Sequence, residues 1–159
     1  MAEMPGFPGT LAHVPLQKFR QCRDRFSLNH NYLLLITTMV SMDLPTAVKS
    51  YQFGERAKSE LIVTSQLCLA LSGFPEQERA GGKRMLLMMM ESIRGEIQFA
   101  ARSTGQQDFQ RAINALNEAI SLVESNQPDQ ATEKIAFAIS ASTTSAQEAW
   151  QVLSEHGLL

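Results

Sequence analysis

Prolines and glycines cut this chain into long segments, and within each segment apolar residues recur every three or four positions. That spacing puts them on one face of a helix. Leu16, Phe19, Phe26, Leu33 and Val40 form the first such stripe, which should end near Asp43 because Pro45 disfavours a helical Leu44. Pro45 suits a first helical turn, and the segment it opens should run to about Ser72, with Gly73 as its cap. The second half of that segment, LIVTSQLCLALSGF, is nearly all apolar and predicts burial on most sides. Pro75 with Glu76 and Glu78 predicts a short helical turn, which Gly81–Gly82 should break or kink before a long helix over about 83–104. Gly105 ends that helix. Asp108 is the expected N-cap of the next, whose stripe is Phe109, Ala112, Ile113, Leu116, Ile120 and Val123. A turn at 125–130 leads to a last helix from about Pro128 to Ser154. The small residues in its middle, AISASTTSA, permit close approach of another helix.

The stretch 32–40 has enough branched residues to pass for a strand, but no other segment could pair with it. The expected fold class is therefore all-α. The architecture is an up-and-down bundle of four long helices plus a short helical turn or fifth helix, since short connections favour antiparallel neighbours. Residues 1–15, with three prolines and two glycines, read as an extended, flexible N-terminal arm, and 16–159 as a single helical-bundle domain. A chain of 159 residues can build a core without staples.

Few kinds of chemistry survive inspection. His13, His30 and His156 are the only histidines, and none follows a Glu at the spacing of a di-iron site, so no metal or other cofactor is expected. There is no nucleophile elbow. Cys22 and Cys68 follow no metal or redox spacing and read as buried free thiols. Glu55 with Glu60, and Glu91 with Glu96, stand five residues apart, which does not put two carboxylates on one helix face. The stretch GFPEQERAGGKR fails as a phosphate loop at Gln77 and Arg84. Gly82, Lys83 and Arg84, at the expected start of a helix, remain a candidate anion-binding site. The protein is not expected to be an enzyme.

Net charge is −2, unevenly placed: residues 1–105 hold twelve Lys/Arg against nine Asp/Glu, and residues 106–159 hold two against seven. The densest basic patch, Lys18, Arg20, Arg23 and Arg25, lacks interleaved aromatics and reads as a solvated helix face, so a nucleic-acid partner is not expected. No apolar run is long enough to span a bilayer, and the first residues do not resemble a secretory leader, so the expected location is cytoplasmic.

One stretch asks for more than a core. In RMLLMMMESIRGEIQFAAR, residues 84–102, six apolar residues run unbroken from Met85 to Met90. Laid on a helix, Leu86, Met89, Met90, Ile93, Ile97 and Ala100 share one face. Met85, Met88, Ser92, Gly95 and Phe99 make a second row, large at both ends and small in the middle. Two readings compete. Either the helix is central and the first helical segment or the arm covers this row, or the row is an exposed contact patch for a second copy or a partner helix.

The function expected on this basis is non-enzymatic: protein–protein interaction, as a homodimer or with a helical protein, in an adaptor or chaperone-like role. The alternative is a small-ligand-binding bundle or an enzyme with an unrecognised site, using the small-residue middle of the last helix near His30 and Arg23. A weaker one is an accessory subunit of a nucleic-acid complex using the basic patch. Over residues 57–125 the helix spacing, the glycine pair at 81–82 and Asp108 faintly resemble flagellar export chaperones, small helical bundles with a mobile N-terminal arm. This chain departs from them by running some thirty residues further.

Overall fold

The computed structural model describes residues 42–159, and Met42–Leu159 form one compact unit. The N-terminal arm, the helical segment from Leu16 and the patch Lys18, Arg20, Arg23 and Arg25 lie outside the described residues. The described residues contain four helices and no strand: α1 (Leu44–Ser72), α2 (Glu76–Thr104), α3 (Gln107–Glu124) and α4 (Pro128–Glu155). The chain is all-α there. Each helix packs on the next, and α1 packs on α4.

The helix ends follow local chemistry. Asp43 caps α1 by accepting the Thr46 amide at 3.1 Å, and hydrogen bonding from Thr46 holds its carboxyl below the ordinary range. Gly105 takes a left-handed conformation, φ 70°, and returns its amide to the Ala101 carbonyl, closing α2. Asp108 is not the cap of α3. Gln106 holds that place, and Asp108 sits buried in the first turn, paired with Arg111 at 2.8 Å. An acid there favours the helix start through the dipole as well as a cap would, so sequence could not separate the two roles.

The break expected at Gly81–Gly82 does not occur: α2 runs through both glycines. Two interior glycines weaken a helix by roughly 1 kcal/mol each. Tertiary contacts outweigh this. Just beyond them Leu86 and Met90 are buried, worth about 1.5–3 kcal/mol apiece. The first turns of α2 also clamp its neighbours. Arg79 Nη2 donates to the carbonyls of Ser72 and Phe74 at the end of α1, and Lys83 Nζ donates to the Glu124 carbonyl at 2.7 Å and Asn126 Oδ1 at 2.8 Å at the end of α3. A Cβ on Gly82 would lie 2.8 Å from the ring of the part-exposed Phe74, which would have to swing aside.

The core is built from Leu61, Met90, Ile97, Phe109, Leu116 and Ile135, all fully enclosed. Against α4, α1 offers a buried line of small residues, Ala47, Ser50, Gly54 and Ala57. Its counterpart on α4 is Ala138, Ser142, Ser145, Ala146 and Ala149. A Cβ added at Gly54 would stand 2.9 Å from both the Ala146 Cβ and the Ser142 carbonyl oxygen. The close approach that the small residues permit is thus made by α1.

The second half of α1 corrects an expectation. It is not buried on most sides of the described fold. Leu61, Thr64, Cys68 and Leu71 face the core, whereas Ile62, Val63, Leu67 and Leu69 are exposed. A helix touched by neighbours on one side buries only one stripe, however apolar the rest.

Gly54→Ala should therefore destabilise the protein by about 1–3 kcal/mol, because backbone atoms of α4 must withdraw. Gly81→Ala should stabilise it by about 0.5–1 kcal/mol, since a Cβ there meets nothing within 4 Å. Urea unfolding of the two variants beside the natural chain measures both signs.

Candidate functional site: an apolar face on α1 and α2

The two rows read from residues 84–102 separate in the structure. Leu86, Met90, Ile93, Ile97 and Ala100 are buried, and Met89 packs partly against them. Met85 is 74% exposed, Met88 68% and Phe99 62%. Ser92 and Gly95 are exposed as well, and a Cβ on Gly95 would find no atom within 4 Å.

This row lies on the shoulder of α2 that faces α1. Phe99 meets Phe53 edge to face, with ring centroids 5.6 Å apart. Arg56 Nη2 bonds Glu96 Oε1 at 2.8 Å, and its Nε bonds Glu60 Oε1 at 2.9 Å. The Glu60 hydrogen bond, with both carboxylate charges, holds the guanidinium above its ordinary pKa. The residue numbers in the Phe53–Phe99 and Arg56–Glu96 pairs add to the same total, as they do between antiparallel neighbours. Extending that register sets Leu67 beside Met85 and the turn holding Val63 beside Met88. That register brings Val63 and Leu67 of α1 to the side of the α2 row, with the Arg56–Glu60–Glu96 group between Phe99 and Met88, while Ile62 and Leu69 are exposed on another side of α1. Sequence reasoning found the α2 half. It missed the α1 half because Val63 and Leu67 were assigned to a buried helix end. The available signal was that Leu61, Thr64, Cys68 and Leu71 already complete one helical stripe.

The carboxylate pairs are spent on ion pairs. Glu55 binds Lys58, Glu60 and Glu96 share Arg56, and Glu91 binds Arg94. Exposed pairs of this kind add little stability. Cys68 is buried and donates to the Pro128 carbonyl at 3.2 Å, and burial pushes its thiol pKa up. Among the described residues no group of three His, Cys, Asp or Glu could hold a metal, and no helix is long and apolar enough to cross a membrane.

The anion site argued from Gly82, Lys83 and Arg84 loses its premise. Helix α2 starts at Glu76, so their amides lie inside the helix and are not free. Lys83 lines a half-open cleft of about 500 Å³ with Leu71, Arg79, Val123 and Pro128, but it is already tied to the end of α3. The ligand cavity imagined against the small residues of α4 is filled by α1 at Gly54. His30 and Arg23, its other proposed walls, lie outside the described residues.

Comparisons of the chain with protein-family models, curated proteins and solved structures find no match. The resemblance to flagellar export chaperones gains no support from them, and two of its marks, the glycine pair and Asp108, sit inside helices.

Two outcomes follow from these side chains. Phosphate or sulfate should not raise the melting temperature beyond chloride at equal ionic strength. In a Cys22→Ser background, Cys68 should react with a thiol reagent only as fast as the protein opens, which stopped-flow absorbance during denaturant titration would show.

Proposed function

We propose that this chain is a non-enzymatic, cytoplasmic interaction protein, and that the face shared by α1 and α2 is its contact surface. Its four described helices are taken as an up-and-down bundle, in which α4 also exposes Phe137 and Trp150. The observation that carries the reading is the exposure of Met85, Met88 and Phe99 along one row, joined by Val63 and Leu67 of α1. Contiguous apolar surface of this extent marks interaction sites on soluble proteins. Methionines are adaptable enough to accept a helix, and the small centre at Ser92 and Gly95 lets a helix axis come close. The rival cover, the chain's own segment from Leu16 or its N-terminal arm, lies outside the described residues, and the occupant proposed is a second copy of the chain or a helical partner. A nucleic-acid role has no carrier among the described residues. Neither does a ligand site built on α4, whose small residues are taken up by α1.

Met88→Glu is the direct test. The side chain is solvent-exposed, so the substitution should change unfolding free energy by less than about 0.5 kcal/mol. It should abolish association measured by light scattering, and abolish adducts from a photo-crosslinker placed at Phe99. A variant that unfolds would show that the row belongs to the chain's own core and would end the proposal.

A further inference from the structure

Resting on that reading, we infer that the occupant is a second copy of this chain, docked with its α2 antiparallel to the first about a two-fold axis near Ser92. The row is complementary to itself in that direction. With Ser92 on the axis, Met85 of one copy stands opposite Phe99 of the other, and Met88 stands opposite Glu96, one residue from Gly95. Each large side chain then meets a suitable partner. A thioether beside an aromatic ring is a favourable contact. The Met88 side chain enters the hollow at Gly95, where a Cβ would meet nothing within 4 Å. Ser92 meets its own copy, so the axes can approach toward the close end of the usual range, about 8 Å. A parallel pairing would put Met88 on Met88 and Phe99 on Phe99, and leave two glycines facing an unfilled gap. Because the contact is two-fold, the same patch serves both copies and the assembly closes as a dimer.

The area is sufficient. Val63, Leu67, Met85, Met88 and Phe99 are each between 44% and 74% exposed. At roughly 100 Å² apiece they offer on the order of 500 Å² per copy. Two copies bury on the order of 1,000 Å² before any polar rim is added, which is where specific interfaces begin. The row tilts toward α1, so an incoming α2 also covers Val63 and Leu67.

The test uses the full chain in a Cys22→Ser background. Sedimentation equilibrium should show a monomer–dimer equilibrium, and Gly95→Leu should weaken it at least ten-fold while the fold stays intact, since the added side chain has open space in the monomer. Under mild oxidation a mixture of Met85→Cys and Phe99→Cys chains should form a mixed disulfide, Ser92→Cys alone should form a symmetric one, and neither Met85→Cys nor Phe99→Cys alone should cross-link. Cross-linking by Met85→Cys alone would establish parallel pairing and overturn the antiparallel inference, leaving the contact face itself in place. A chain monomeric at every concentration would overturn the second copy as occupant. In that case, photo-adducts at Phe99 with a different protein would keep the contact face, and no adduct of any kind would end both.

Discussion

Everything in the described fold depends on how closely α1 approaches α4. Gly54 has no room even for a methyl group, because Ala146 and the Ser142 carbonyl already occupy that space. Contact at backbone range multiplies weak dispersion contacts along both helices, and it lets a helix pair with few large side chains hold together. The arrangement carries a polar cost. The hydroxyls of Ser50, Ser142 and Ser145 are buried and make no hydrogen bond among the described residues. Orphaned hydroxyls of this kind weigh about 1–3 kcal/mol each against the fold, so small size, and not polarity, is what these positions require.

That contact also fixes which way α1 is turned. With Gly54 against α4 and Leu61 toward the core, the side of α1 carrying Val63 is left outside, next to α2. The Arg56–Glu60–Glu96 group then sets the register between the two helices. Its net energy is small, because Arg56 is largely exposed and solvent screens the charges. Its use is geometric: it spaces Phe53 against Phe99 at one end and leaves Leu67 beside Met85 at the other. Val63 and Leu67 of α1 are thereby turned to the side on which α2 exposes Met85 and Met88.

Much of this was legible in the residues. Pro45, Gly73, Gly105 and Pro128 mark real boundaries, because each changes what the backbone can do within one or two residues. The split of residues 84–102 into two rows was legible too, since it needs only the helical repeat. Gly81–Gly82 misled because a propensity cost of a kcal/mol or two cannot be weighed against burial before the neighbours of Leu86 and Met90 are known. The same lack of neighbours hid the α1 half of the face. Val63 and Leu67 are as apolar as Leu61 and Cys68, and only the placement of α4 and α2 decides which of them meets solvent. The anion site lost its premise for a related reason: the helix begins two turns earlier, and Lys83 is tied to the end of α3.

Gly95 gives the last step. A glycine in an exposed helix interior costs about 1 kcal/mol relative to alanine, and within the described chain no contact requires it, because a Cβ there would touch nothing. Gly54 and Gly82 cost as much, but each makes room for a neighbour that is present. At Gly95 the room exists, and no neighbour among the described residues fills it. On the helix surface Gly95 is bordered by Glu91, Ser92, Gln98 and Phe99. A partner's methionine or leucine seated there would offset both the helix propensity lost at Gly95 and the exposure of its neighbours. Gly81 has the same open space, so it is the place of Gly95 in the exposed row of Met85, Met88 and Phe99, and not the space alone, that sets it apart.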